Sequence, residues 1–144
     1  MKINIVAVGS LTKEYQVIYN DYVKKINFFS KVNLIEIKGQ KIDNIDLKIQ
    51  KETEMILEKI PKNSTVYYLS LQGKQYDSIE FGKLFTEEDN ITFVIGGSNG
   101  VDEKMFNKKI NFSKMTFPHQ LFRVMLIEQI YRGFSIKNGI KYHK

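Results

Sequence analysis

Apolar and polar positions follow two rhythms along this chain, and the rhythms alternate. KINIVAV (2–8) is an almost unbroken apolar run of strand length, stopped by Gly9 and Ser10. From 12 to 28 the apolar positions fall at Tyr15, Ile18, Tyr19, Tyr22, Val23 and Ile26, the spacing of a helix with one stripe against a core. KVNLIEI (31–37) returns to strand alternation, and the polar link GQKIDNID follows it. A second helix is predicted over 45–60, with Ile45, Ile49, Ile56, Leu57 and Ile60 among its apolar positions and Pro61 ending it. STVYYLSL (64–71) is rich in β-branched and aromatic residues and predicts a strand. A short helix over 77–86 and a buried strand at ITFVIGG (91–97) complete this part of the chain.

Strands that alternate with helices imply crossover connections. The expected architecture is α/β: a mainly parallel sheet covered by helices on both faces, in one domain spanning 1–144. No linker divides the chain. Ligands of such sheets sit outside the carboxyl ends of the strands. The loops of interest are therefore Gly9–Ser10, Leu71–Gln72–Gly73–Lys74 and the glycine run Gly96–Gly97–Ser98–Asn99–Gly100.

The last predicted helix, His119 to about Ile136, breaks the pattern. Leu121, Phe122, Val124, Met125, Leu126, Ile127, Ile130, Tyr131 and Phe134 cover nearly its whole circumference. A helix apolar all round needs burial on more than one face. In so short a chain the simplest second cover is another copy, so a homodimer with a self-complementary interface is expected. Glu128 and Arg132 have the spacing of a helical ion pair. Arg123 has no acidic residue three or four positions away. Its partner is then an external anion, or a carboxylate from elsewhere in the fold.

Composition narrows the chemistry. The chain has no cysteine and only two histidines, His119 and His143. Disulfides and thiolate metal sites are excluded, no metal site is expected, and a reducing, cytoplasmic setting is the natural reading. The N-terminal run is too short for a secretory signal, and no apolar stretch approaches the roughly 20 residues of a membrane span. Net charge is +6, unevenly placed: residues 104–144 hold nine Lys or Arg against the single acid Glu128. That field attracts a polyanion, although a solvated basic face explains the charge equally well.

The motifs are less decisive one by one. GGSNG follows a strand, but its glycines match neither the dinucleotide fingerprint nor a P-loop, and an ordinary tight turn accounts for it. The tail NGIKYHK joins an aromatic ring, an imidazole and a cation, which suit a base and a phosphate; alone it reads as a disordered terminus.

Together the motifs are more specific. VIGGSNG, then FSKMTFPHQLFRVMLIEQIYRGF, then the terminal YHK, in this order, closely resemble the bacterial ribosomal RNA large subunit methyltransferase H family of SPOUT-class enzymes. The resemblance runs from KINIVAVG to the last residue. It implies a C-terminal deep trefoil knot, a homodimer, and S-adenosyl-L-methionine as methyl donor. The implied substrate is N3 of a pseudouridine in 23S rRNA on the assembled ribosome. The resemblance assigns the cofactor pocket to Leu69, Gly96, Phe112, Ser113, Lys114, Met115, Thr116 and Phe117. Apolar side chains there suit adenine, and loop N–H and C=O groups suit its edge. Under this resemblance Arg123 holds an RNA phosphate or the base carbonyl, His119 shapes the pocket wall on the RNA side, and Arg132 and Lys144 contact RNA. Tyr142 orients the base, and His143 is the side chain best suited to move a proton. Two positions depart from the family: Ser70 stands where an acidic residue is common and Gly133 where alanine is. Outside the resemblance, a non-enzymatic RNA-binding module or a knotted methyltransferase acting on tRNA or another rRNA site also fits the basic half.

Overall fold

The computed structural model describes residues 1–144. Its order is β1 (Lys2–Val8), α1 (Lys13–Ile26), β2 (Lys31–Ile37), α2 (Ile45–Lys59), β3 (Thr65–Gln75), α3 (Ser78–Glu87), β4 (Asn90–Ile95), a 3-10 turn (Glu103–Met105), β5 (Lys109–Asn111) and α4 (His119–Lys137). The five strands form one sheet in the order β2-β1-β4-β3-β5, and every pair is parallel.

Strand alternation divides the core in two. Ile3, Ile5 and Ala7 of β1, with Phe93 of β4, pack beneath α1, α3 and α4; Val6, Val8 and Val94 point the other way, toward Ile56 of α2 and the 101–106 segment. Burial on both faces explains why β1 and β4 are continuous apolar runs. Asn44 and Asp77 start α2 and α3, accepting the N–H groups of Leu47 and Glu80. In α4, Leu126, Ile127, Ile130 and Phe134 are buried, each worth about 1.5–3 kcal/mol.

The structure changes three expectations. LQGK is not a loop after β3 but part of it, where the register against β5 shifts between Leu69 and Lys74. Gly73 makes that excursion possible: a Cβ there would lie 2.6 Å from the Lys109 carbonyl carbon and 2.7 Å from the Ile110 nitrogen. β5 itself was not foreseen, because three residues with a single apolar side chain carry no period. The third change is Gly133, which faces Gly82 of α3; a Cβ there would strike the Phe85 ring. It is a packing requirement rather than only a weakness of α4.

Candidate active site

Three segments distant in sequence meet at the carboxyl ends of β3, β4 and β5 around a cavity of about 320 Å³. Leu69 and Leu71 come from the β3 excursion, Ile95, Gly96 and Gly97 from the end of β4, and Phe112, Ser113, Met115, Thr116 and Phe117 from the run into α4. Lys114 is exposed and does not line the cavity. The run is shaped by its own small polar side chains. Ser113 N–H donates to Asn111 Oδ1 at 3.0 Å, and Met115 N–H donates to Ser113 Oγ at 3.0 Å. Such side-chain turns replace regular structure. Asn111 Nδ2 also donates to Leu71 O at 3.3 Å, tying this run to the β3 excursion. Thr116 and Phe117 form no main-chain hydrogen bonds within the chain, so their N–H and C=O groups are free to meet a ligand.

Gln72, from a segment already of interest in the sequence, also borders the cavity, as do Glu103, Tyr68 and Asn111, which sequence reasoning passed over. Glu103 Oε1 accepts from Ser70 Oγ at 2.7 Å, and Ser70 Oγ accepts from Gln72 N–H at 3.0 Å. Ser70 is thereby held against a carboxylate at the edge of the cavity. Burial pushes the Tyr68 phenol up to about 12, with the Glu103 carboxylate adding to the shift. The walls are mainly apolar, and the Glu103 carboxylate at one side is paired with Lys109 Nζ at 3.6 Å.

Arg123 is a correction. It is buried, with Nη1 on the Glu36 carboxylate and Nη2 donating to Gly9 O at 3.0 Å. Of the two partners that spacing left open, the structure supplies the internal carboxylate, 87 residues away in sequence and so invisible to helical spacing. The pair fixes the start of α4 to the ends of β1 and β2. Beside it, burial raises the Tyr19 phenol pKa above its ordinary value. His119 is exposed and borders both the cavity and a second, polar one shared with Lys48, Glu52, Gly97 and Arg123.

The tail is ordered against α4. Arg132 forks onto Glu128, with Nε to Oε1 at 2.9 Å and Nη2 to Oε2 at 3.0 Å. The Tyr142 ring lies edge-on to Tyr131 at 4.8 Å, with the Arg132 guanidinium 4.7 Å from its centre. Burial, then a hydrogen bond with Tyr22, raises the Tyr142 pKa. His143 Nδ1 is 3.1 Å from Arg132 Nη1. A guanidinium only donates, so Nδ1 accepts and Nε2 carries the ring proton. Lys144 is exposed. None of Arg132, Tyr142 or His143 borders the cavity; Arg132 stands thirteen residues, about 20 Å, beyond His119 along α4.

Comparison with known proteins bears on this arrangement. Residues 1–143 match the family model described as "Predicted SPOUT methyltransferase". The chain is 67% identical over 144 residues to "Ribosomal RNA large subunit methyltransferase H" of Metamycoplasma arthritidis, covering 100% of both chains. The protein of that name from Mycoplasmopsis pulmonis is 68% identical over 146 residues, again with 100% of both covered. The chain belongs to this family of SPOUT methyltransferases. A more distant relative with the same name, from Clostridium tetani, keeps 45% identity over 159 residues and 100% of both chains.

As a methyltransferase the chain needs a cradle for a methyl donor, and S-adenosyl-L-methionine fits the residues present. Leu69, Phe112, Met115 and Phe117 offer apolar surface for a flat ring, and the free main-chain groups of Thr116 and Phe117 offer polar contacts. No three His, Asp or Glu side chains group as metal ligands, and no helix is long and apolar enough to cross a membrane.

Proposed function

We propose that this enzyme methylates N3 of a pseudouridine in 23S rRNA on the assembled ribosome, as a cytoplasmic homodimer that takes the methyl group from S-adenosyl-L-methionine. The observation that carries the reading is the convergence of Leu69, Gly96, Phe112, Ser113, Met115, Thr116 and Phe117 on one cavity. The names of the relatives and the basic C-terminal third support an rRNA substrate. A C-terminal trefoil knot is part of the reading, supported by membership of the family.

S-adenosyl-L-methionine, when bound, supplies an electrophilic methyl group. Leu69, Phe112, Met115 and Phe117 grip the adenine and exclude water, while Gly96, Ser113, Thr116 and Phe117 orient the donor through main-chain groups. Lys114, outside the cavity, faces solvent at its mouth. Much of the rate comes from this positioning. His119 sits at the edge facing RNA, Tyr142 stacks on the base, and Lys144 holds a phosphate. His143 receives the imino proton of the base at Nδ1. In the single chain Arg132 holds that lone pair, and an RNA phosphate that draws Arg132 away releases it.

The 20 Å between cavity and tail argues for the dimer. Val17 and Ile18 of α1, Ile79 of α3 and Leu121 of α4 are exposed, beside a groove of about 550 Å³ that includes Tyr22, Tyr76 and Met125. A two-fold axis across α4 sets the start of one helix beside the end of its partner. The tail of one protomer then completes the cavity of the other.

The test is transfer of labelled methyl to ribosomes, isolated subunits and tRNA. Deleting Tyr142 to Lys144 is expected to abolish transfer while leaving S-adenosyl-L-methionine binding intact. Mixing that variant with Gly96→Val, whose pocket is blocked, is expected to restore activity in heterodimers. Full turnover by the truncated chain would end the role of the tail, and label on tRNA alone would overturn the substrate.

A further inference from the structure

Helix α2 lies on the face of the sheet away from α4 and carries none of the residues assigned so far to donor or RNA. Three of its side chains nevertheless converge on the glycine loop. Thr53 Oγ1 donates to Ile49 O at 2.7 Å and accepts the Asp102 N–H at 3.0 Å. Lys48 Nζ donates to Ser98 Oγ at 3.2 Å and Asn99 Oδ1 at 2.9 Å. Between them lies Glu52, only 1% exposed. Its Oε2 accepts the Gln40 N–H at 2.8 Å, and its Oε1 has no hydrogen-bond partner. That free oxygen sits beneath Gly97, where a Cβ would come within 2.8 Å of it.

A buried carboxylate with one oxygen unpaired is unfavourable, and an aliphatic side chain would fill the same space without that desolvation. Gly97 borders the donor cavity directly, next to Gly96. We infer that Glu52 is a positioning residue for the methyl donor. Its carboxylate is the floor on which Gly97 rests, and with Thr53 and Lys48 it sets the height of the glycine loop against residues 112–117. The requirement is reciprocal: Gly97 lacks a side chain chiefly because Glu52 fills that space, with Val8 Cγ1 beside it at 3.2 Å from the would-be Cβ, and Glu52 holds Gly97 where its main chain meets the cavity. This inference rests on the donor reading of the cavity above.

Calorimetric titration of S-adenosyl-L-methionine into the full-length chain, with melting of each variant in parallel, tests it. Absence of heat with the wild type would overturn the donor reading and this inference together. Given wild-type binding, Glu52→Ala is expected to weaken affinity about tenfold and Gly97→Ala about 100-fold, since contacting residues couple strongly. The double variant is expected to bind about as well as Glu52→Ala alone, because removing the carboxylate makes room for the new methyl group. Losses that multiply would overturn the inference. So would a Glu52→Ala chain that melts earlier yet binds like the wild type. If Glu52→Ala does not fold, Glu52→Asp, which withdraws the carboxylate by one methylene, takes its place with the same expected non-additivity.

Discussion

Replacing Glu36 with glutamine keeps the size and planarity of the group facing Arg123 and removes only its charge. The guanidinium retains Gly9 O and gains a neutral acceptor in place of a carboxylate. A charge-assisted hydrogen bond is worth about 1.5–3 kcal/mol and a neutral one about 1 kcal/mol, so the difference is about 0.5–2 kcal/mol. The Arg123 side chain is 4% exposed and that of Glu36 39%, which places the effect toward the lower end. Glu36→Gln should therefore lose about 1 kcal/mol, or roughly 3–4 °C of melting midpoint for a domain of this size. Glu36→Ala strands a buried guanidinium with one acceptor and should lose about 3 kcal/mol. Urea unfolding of both variants and of Arg123→Ala, alongside methyl transfer to ribosomes, reads the result. Native stability in both Glu36 variants, with transfer abolished only in Arg123→Ala, would refute the reasoning. Arg123 would then serve an external anion after all.

Gly133→Ala separates local propensity from packing. Propensity alone predicts a gain of about 1 kcal/mol, but the added methyl group meets the Phe85 ring and lies 3.1 Å from Gly82 Cα. A loss of about 1–3 kcal/mol in thermal or urea unfolding is expected, and a stabilised variant would refute the contact. Alkaline pH tests the buried phenols. Tyr67 and Tyr68 are each pushed up to about 12 by burial, above an unfolded value near 10. The folded chain thus holds protons that the unfolded chain releases. Their contribution is complete below about pH 10 and is lost as pH rises through about 12. Tyr68→Phe should flatten that decline in pH-dependent unfolding, and an unchanged slope would contradict it.

Local periods made much of the fold legible. β1 and β2 lie where their apolar patterns put them, and α4 starts at His119, because each element buries a face written in its own sequence. The misses are interactions in which the deciding partner is far away. Nothing in LQGK announces that β5 will press on Gly73, and a three-residue strand has no period to read. Helical spacing left Arg123 two possible kinds of partner, and the one that meets it, Glu36, arrives from β2 through the sheet register. The donor cavity shows the same division. Residues 112–117 came into view through the family resemblance, but Glu103 entered only once the chain had folded it against Ser70. Glu52 is the sharpest instance. In sequence it is one acid among the many of an amphipathic helix, and its importance lies wholly in what rests on it. A side chain that acts by holding the backbone of another segment leaves no motif of its own. Its trace is at the other end of the contact, in a glycine that cannot be anything larger.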